Sequence, residues 1–153
     1  MGATRIIGVG HPDRGDDAVG RIVAARLRQQ MPAGAEVIET DGEAARLLDL
    51  FEGAADVIII DAGLSGAAPG TIHRLDAGAA PLPRPMFATS SHAIGLAESI
   101  ELARTLGQLP ERCIVFAVEA ASFELGAPLS APVAAALDRV IARLRDELAV
   151  AVV

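Results

Sequence analysis

The order of hydrophobic and polar positions divides the chain into short apolar runs and longer segments in which apolar residues recur every three or four positions. The short runs predict strands at residues 4–9, 35–40, 56–62, 71–75 and 112–118. The longer segments predict helices at residues 16–30, 43–51, 92–107 and 130–150. Because strands and helices alternate, we expect a single-domain α/β protein over residues 1–153. Its three-layer fold would have a mostly parallel, twisted sheet of about five strands with helices on both faces.

Three segments add detail to this fold. Residues 56–62 are almost continuously apolar and β-branched, which predicts a central strand buried on both faces. Residues 71–75 are a shorter run that can lie antiparallel at an edge. Residues 76–91 are rich in Ala, Pro and Gly and have no periodicity of their own. A segment of that length in a compact domain is usually a functional loop.

The composition excludes several kinds of chemistry. All 13 basic residues are Arg, so neither a Schiff-base Lys nor the Lys of a phosphate-binding P-loop is present. A net charge of −7 and the absence of Trp and Tyr disfavour nucleic acid as a partner. With a single cysteine, Cys113, the chain has no intrachain disulfide and no cysteine-cluster zinc site.

Membrane association and export are not indicated by the sequence. No stretch has the length and apolarity of a membrane-spanning helix. The first residues lack the charged and then apolar layout of a signal peptide. We therefore expect a cytoplasmic protein, and we expect it to be a monomer.

Three side chains stand where the ligand crevice of an α/β sheet is expected, at the carboxyl ends of the strands. Asp17 follows the first strand and a glycine-rich turn, Asp61 ends the central run, and His92 starts the third helical segment. If the first strand lies beside the third, all three converge at one edge. Two carboxylates and an imidazole are suitable ligands for a divalent metal with open coordination positions.

The glycine-rich turn is also compatible with nucleotide binding or with a purely structural role. Gly8 and Gly10 resemble the start of a dinucleotide-binding turn, but Asp13 occupies the place of the third glycine. The carboxylates of this turn would also repel a pyrophosphate. Asp16 and Asp17 can both be favourable residues of a first helical turn. We assign Asp16 as the helix cap and Asp17 as the inward-facing ligand.

The remaining candidates also have structural alternatives. A buried carboxylate at Asp61 needs hydrogen-bond donors or a cation, and the amides of residues 63–66 are possible donors. His92 taken alone can equally be a solvated residue at a helix start. His11, in the glycine-rich turn, can support the site or contact a substrate. His73 alternates within a strand and is expected to be structural or exposed.

Neither candidate nucleophile is convincing. Ser65 lies in a Gly-Leu-Ser-Gly-Ala sequence, where Ala67 replaces the last glycine of a nucleophile elbow and Pro69 stands near the expected helix start. Cys113 begins a strand, a place where free cysteines usually act as small hydrophobic residues.

Five motifs occur in order along almost the whole chain. They are Gly8-x-Gly10-x-x-x-x-Gly15-Asp16-Asp17-x-x-Gly20, Ile60-Asp61-Ala62-Gly63, Ser91-His92 before Gly95-Leu96, Phe116-Ala-Val-Glu119, and Gly126-Ala-Pro-Leu129-Ser130. Together they resemble the NiFe-hydrogenase maturation proteases, and five motifs in register are far more specific than any one of them. That family usually has Asn after the Gly-x-Gly turn. This chain has His11 there, which can change the hydrogen bonding around the site or add a ligand.

The resemblance implies a metal-dependent aspartyl endopeptidase that removes the C-terminal extension from a NiFe-hydrogenase large-subunit precursor after nickel insertion. By motif, the family's nickel-recognising ligands fall on Asp17, Asp61 and His92, which are the expected catalytic and metal-contacting residues. The nickel would be supplied by the substrate, and the large-subunit precursor is the expected partner. Two other functions stay open. One is metal-dependent hydrolysis of a small amide or ester, and the other is non-catalytic binding of the nickel-loaded large subunit as an assembly factor.

Overall fold

The computed structural model describes residues 2–30, 34–88 and 92–152. This part of the chain forms five strands, β1 (Ala3–Val9), β2 (Ala35–Thr40), β3 (Ala54–Gly63), β4 (Ile72–Asp76) and β5 (Arg112–Glu119). It also forms four α-helices, α1 (Val19–Gln30), α2 (Ala44–Phe51), α3 (Leu96–Thr105) and α4 (Ala131–Val152). Short 3-10 helices lie at Gly15–Ala18 and Arg84–Phe87. None of the described helices is both long enough and apolar enough to cross a membrane.

The five strands form one sheet in the order β2-β1-β3-β5-β4. β1 is parallel to β2 and β3, and β3 is parallel to β5, whereas β4 pairs antiparallel with β5 at the edge. The predicted α/β class, the central position of β3 and the antiparallel edge strand are confirmed. Because β1, β2, β3 and β5 are parallel, their carboxyl ends lie at one edge of the sheet, called the carboxyl edge below, and the ends of β1 and β3 are neighbours there.

Helices cover both faces of the sheet, as predicted. Alternate residues of a strand point to opposite faces. Ile58 and Ile60 pack in the layer of α1 and α4, whereas Val57 and Ile59 pack in the layer of α2 and α3. All four side chains are fully buried. Burial on both faces explains why β3 is a continuous apolar run instead of an alternating one.

Two facing glycines bring α1 close to the sheet. A Cβ at Gly8 of β1 would lie 2.2 Å from the carbonyl oxygen of Gly20 in α1. A Cβ at Gly20 would lie 2.2 Å from the Ile60 carbonyl oxygen and 2.5 Å from that of Val9. No side chain fits at these distances, so the spacing of the glycines allows the backbones to approach each other. This contact holds the turn after β1 against the ends of β1 and β3.

Two predicted helix starts are wrong. The segment predicted to be helical from residue 16 begins as the 3-10 helix Gly15–Ala18, and α1 starts only at Val19. α3 starts at Leu96, because Gly95 is extended (φ −81°, ψ −176°) and forms the N-cap. His92 therefore lies in a bend before α3 and does not start a helix. Residues 89–91, which end the predicted loop, lie outside the described residues.

A charged network ties the amino end of β5 to α4. Arg112, the first residue of β5, contacts Asp56 at 2.9 Å and also contacts Glu147 of α4, which pairs with Arg74 of β4. Glu147 is only 9% exposed. The hydrogen bond from Arg74 and the charges of both arginines hold the pKa of Glu147 below its usual value despite this burial. The network stabilises the end of the sheet opposite the carboxyl edge.

Candidate active site

Asp17 lies in the 3-10 turn after β1, where a glycine allows the close approach. Gly10 has φ +150°, and a Cβ there would lie 1.8 Å from the Asp17 carbonyl oxygen. The His11 amide donates a hydrogen bond to Asp17 Oδ2 at 3.0 Å. The His11 ring folds back on its own loop, where Nδ1 accepts from the Asp13 amide at 3.1 Å. The turn thus seats Asp17 at the carboxyl edge through backbone contacts.

Asp16 does not cap a helix, so that assignment is wrong. Arg14 occupies the N-cap position of the 3-10 helix and makes no side-chain capping bond. Asp16, only 1% exposed, instead accepts hydrogen bonds from the loop between β5 and α4. The donors are the amides of Ala121, Ser122 and Ser130 at 2.8, 3.2 and 2.7 Å and the Ser130 hydroxyl at 2.8 Å. Asp16 therefore fastens this loop to the turn that carries Asp17.

Asp61 lies in the last three residues of β3, within its buried part, and is 9% exposed. Its Oδ1 accepts the amide of Ala62 at 2.8 Å. The amides of residues 63–66 are possible hydrogen-bond donors to Asp61, but two of them have other acceptors. The Leu64 amide donates to the Met86 carbonyl, and the Ser65 amide donates to the Glu119 carboxylate. Burial raises the pKa of Asp61 well above its usual value, and the negative charge of Asp17 raises it further, while the Ala62 hydrogen bond opposes both effects. The two aspartates therefore lie within electrostatic reach of each other.

His92 lies at the end of β2. Its Nε2 is 3.2 Å from the Asp41 carbonyl oxygen and 3.8 Å from Asp41 Oδ1. A carbonyl oxygen only accepts hydrogen bonds, so Nε2 carries the proton in this arrangement. The imidazole is 27% exposed. His92 is thus held against the strand next to β1, at the same edge of the sheet as the two aspartates.

The structure therefore joins the three predicted residues only in part. The charge of Asp17 acts on Asp61, and the His92 imidazole lies against Asp41. Within residues 2–30, 34–88 and 92–152, no three His, Cys, Asp or Glu side chains are grouped closely enough to hold a metal ion. The arrangement is a pair of carboxylates, with the imidazole of His92 at the same edge of the sheet.

A further carboxylate at this edge, that of Glu119, has no role predicted from the sequence. Glu119 ends β5 and is 1% exposed. It accepts the Ser65 amide at 2.8 Å, the Ser65 hydroxyl at 2.5 Å and His73 Nε2 at 3.1 Å. Burial alone would raise the pKa of Glu119, but the hydrogen bonds from Ser65 and His73 hold it below its usual value. A signal for it exists in the sequence, because Glu119 follows an apolar run just as Asp61 does.

The fold and the carboxylate pair define an α/β protein with an acidic site at the carboxyl edge of its sheet. A family model described as hydrogenase maturation protease matches residues 22–147. The chain therefore belongs to the hydrogenase maturation protease family. Among curated proteins, none matches the chain significantly.

Solved structures support the same assignment. The solution structure of an endopeptidase from Escherichia coli is 25% identical with a TM-score of 0.80, covering 93% of this chain and 89% of that one. The hydrogenase maturating endopeptidase HybD from E. coli is 28% identical with a TM-score of 0.73, covering 95% and 93%. The NiFe hydrogenase maturation protease HycI from Thermococcus kodakarensis, 21% identical with a TM-score of 0.70 over 94% and 90%, shares the fold.

Proposed function

We propose that this protein is an endopeptidase that removes the C-terminal extension of a NiFe-hydrogenase large-subunit precursor after nickel insertion. Membership of the maturation protease family supports the proposal, as does the similarity to HybD over nearly the whole chain. The observation that carries it is the Asp17–Asp61 pair. Burial and the charge of Asp17 disfavour the ionised form of Asp61 until a cation arrives.

Nickel carried by the precursor is the cation that we assign to the pair. A divalent ion beside Asp61 stabilises its ionised form and offsets both the burial and the repulsion from Asp17. His92 would provide the third contact through Nε2, once the Nε2 proton has moved to Nδ1 and the hydrogen bond to Asp41 has been given up. Oxygen and imidazole ligands together are acceptable to Ni²⁺. A precursor without nickel lacks this contact, so recognition also serves as a checkpoint.

Peptide hydrolysis then takes place next to the bound nickel. The nickel would polarise the scissile carbonyl or position the attacking water, and a free carboxylate oxygen of Asp17 or Asp61 would accept a proton from that water. A C–O bond forms, the C–N bond breaks, and the proton passes to the leaving amine. In this mechanism the protein's own contribution is orientation and proton transfer.

The proposal is tested by incubating the protein with nickel-loaded precursor and recording intact masses. The wild-type protein should release the C-terminal extension and leave a nickel-free precursor intact. Asp17→Asn and Asp61→Asn should slow cleavage about 10²–10⁴-fold, the range of a positioned proton acceptor. Asp13→Asn is the matched control, because Asp13 is an exposed carboxylate in the same turn.

Other results of the same assay would contradict the proposal. Stable binding of the nickel-loaded precursor without any change in mass would indicate an assembly factor. Turnover of a small amide or ester while the precursor stays intact would indicate a different metal-dependent hydrolase. Undiminished cleavage by Asp17→Asn would refute the assigned site.

A further inference from the structure

Glu119 holds the segment that follows Asp61 at several points. The Glu119 side chain accepts both the amide and the hydroxyl of Ser65. Its backbone amide donates to the Thr71 carbonyl at 2.8 Å, and its carbonyl accepts the Gly70 amide at 2.8 Å. The next amide, that of Ala120, donates to the Gly63 carbonyl at 2.9 Å. Residues 63–71 are therefore fastened to the end of β5 at both ends and in the middle.

The position of Glu119 places it beside the proposed site. In the parallel pairing of β3 with β5, Asp61 lies opposite Ala117 and Gly63 lies opposite Glu119. Residues two apart in a strand face the same side of the sheet, so Asp61 faces the same side as Gly63. Glu119 is paired with Gly63, so its side chain lies on that face as well. Gly63 between them has no side chain, and a Cβ there would lie 2.8 Å from Met86 Cγ. Because residue 63 is only two positions after Asp61, a shift of residues 63–66 also moves the backbone next to Asp61.

The geometry does not suit a serine nucleophile. In a Ser-His-acid triad the imidazole lies between the hydroxyl and the carboxylate. Here the Ser65 hydroxyl and His73 Nε2 both meet the same oxygen of Glu119, and they are 3.5 Å from each other. A carboxylate whose pKa is held low by three hydrogen bonds is also a weak base. Ser65 and His73 instead donate hydrogen bonds that hold the ionised Glu119 carboxylate in place.

We propose that Glu119 is a positioning residue of the active site: with Ser65 and His73 it fixes residues 63–66, and turnover depends on this segment staying in place. The inference rests on the proposed function. The link to chemistry is the Ala62 amide, which donates to Asp61 Oδ1 one residue before the fixed segment. Loosening the segment turns that carboxylate away from its working orientation.

Two buried glutamates at opposite ends of the sheet provide the test. Glu119→Ala removes the acceptor, Glu119→Gln keeps one oxygen and the shape, and Glu147→Ala disrupts the charged network at the other end. Processing of nickel-loaded precursor is measured at a temperature where all variants are folded. We expect kcat to fall about 10–100-fold in Glu119→Ala with little change in KM, as for a small misplacement of reacting groups. Glu119→Gln should restore most of the rate, and Glu147→Ala should keep it.

Hydrogen exchange in the free proteins gives a second reading that does not need the precursor. Amides of residues 63–66 should exchange at least about tenfold faster in Glu119→Ala, but not in Glu147→Ala. Unchanged exchange in this segment, or an equal loss of kcat in both alanine variants, would overturn the inference. Faster exchange with unchanged kcat would overturn it as well. A wild-type protein that leaves the precursor intact would refute the proposed function instead, and the exchange result would still decide whether Glu119 holds the segment.

Discussion

Replacement of Asp16 should distinguish a structural aspartate from its neighbour Asp17, the proposed nickel ligand. Asp16→Ala removes a carboxylate that is 1% exposed and accepts four hydrogen bonds. Three of the donors are backbone amides of the loop between β5 and α4. That loop also donates the Gly126 amide to the Asp13 carbonyl at 2.7 Å, so the substitution loosens a contact between two loops.

The expected loss of stability follows from these hydrogen bonds. A hydrogen bond to a charged group contributes roughly 1.5–3 kcal/mol, so four of them set an upper bound of about 6–12 kcal/mol. The donors lie in a loop that can admit water once the carboxylate is gone, which lowers the expected loss to about 3–5 kcal/mol. In a chain of this size that corresponds to a fall in melting temperature of roughly 6–20 °C. Among the described residues Asp17 accepts one hydrogen bond, from His11, so the same scale gives at most about 1.5–3 kcal/mol for Asp17→Ala, and the lost repulsion on Asp61 offsets part of it.

Thermal and urea unfolding of the two variants, followed by circular dichroism, provide the measurement. Asp16→Ala should lose much more stability than Asp17→Ala, whereas Asp17→Ala should abolish processing while staying folded. Equal losses of stability in the two variants would refute the reasoning. So would an Asp16→Ala protein as stable as the wild type.

Burial and close packing also predict the effects of two further substitutions, Asp61→Asn and Gly20→Ala, and the reactivity of Cys113. The native pKa of Asp61 lies above its unfolded value, so stability falls as pH rises from the unfolded pKa through the native one. In metal-free buffer at pH 7, Asp61→Asn should therefore melt above the wild type, with the gap closing near pH 4; a lower melting temperature contradicts this. Gly20→Ala should lower the free energy of unfolding in urea by about 1–3 kcal/mol, because the added Cβ would clash with backbone oxygens; a variant as stable as the wild type would contradict this. Burial raises the pKa of Cys113 to about 12, so its thiol should resist a thiol reagent until urea unfolds the protein, and rapid native labelling contradicts this.

The parts of the fold that are readable from the sequence depend on local patterns. β3 is a continuous apolar run because both of its faces are covered, and that pattern is visible without coordinates. The alternation of strands and helices is enough to indicate a parallel sheet. Asp61 is recognisable as a candidate because a carboxylate at the end of such a run needs a partner.

The parts that the sequence does not reveal depend on contacts between distant residues. Asp16 resembles a helix cap, but its acceptor oxygens meet donors 105 to 114 positions away along the chain. No local pattern indicates that contact. The third helix is predicted to start at residue 92 because the apolar spacing continues across Gly95. The extended backbone of Gly95 instead makes Leu96 the first helical residue. This error places His92 on a helix instead of in the bend beside Asp41.

The central claim is that the side chains of Asp17, Asp61 and His92 coordinate the nickel of the precursor. Nickel-edge X-ray absorption of the precursor, recorded before and immediately after mixing with the protein and rapid freezing, tests it most directly. We predict new oxygen and nitrogen ligands at the nickel with the wild-type protein and their loss with Asp17→Asn and Asp61→Asn. An unchanged nickel spectrum in a mixture that goes on to cleave the precursor would contradict the claim.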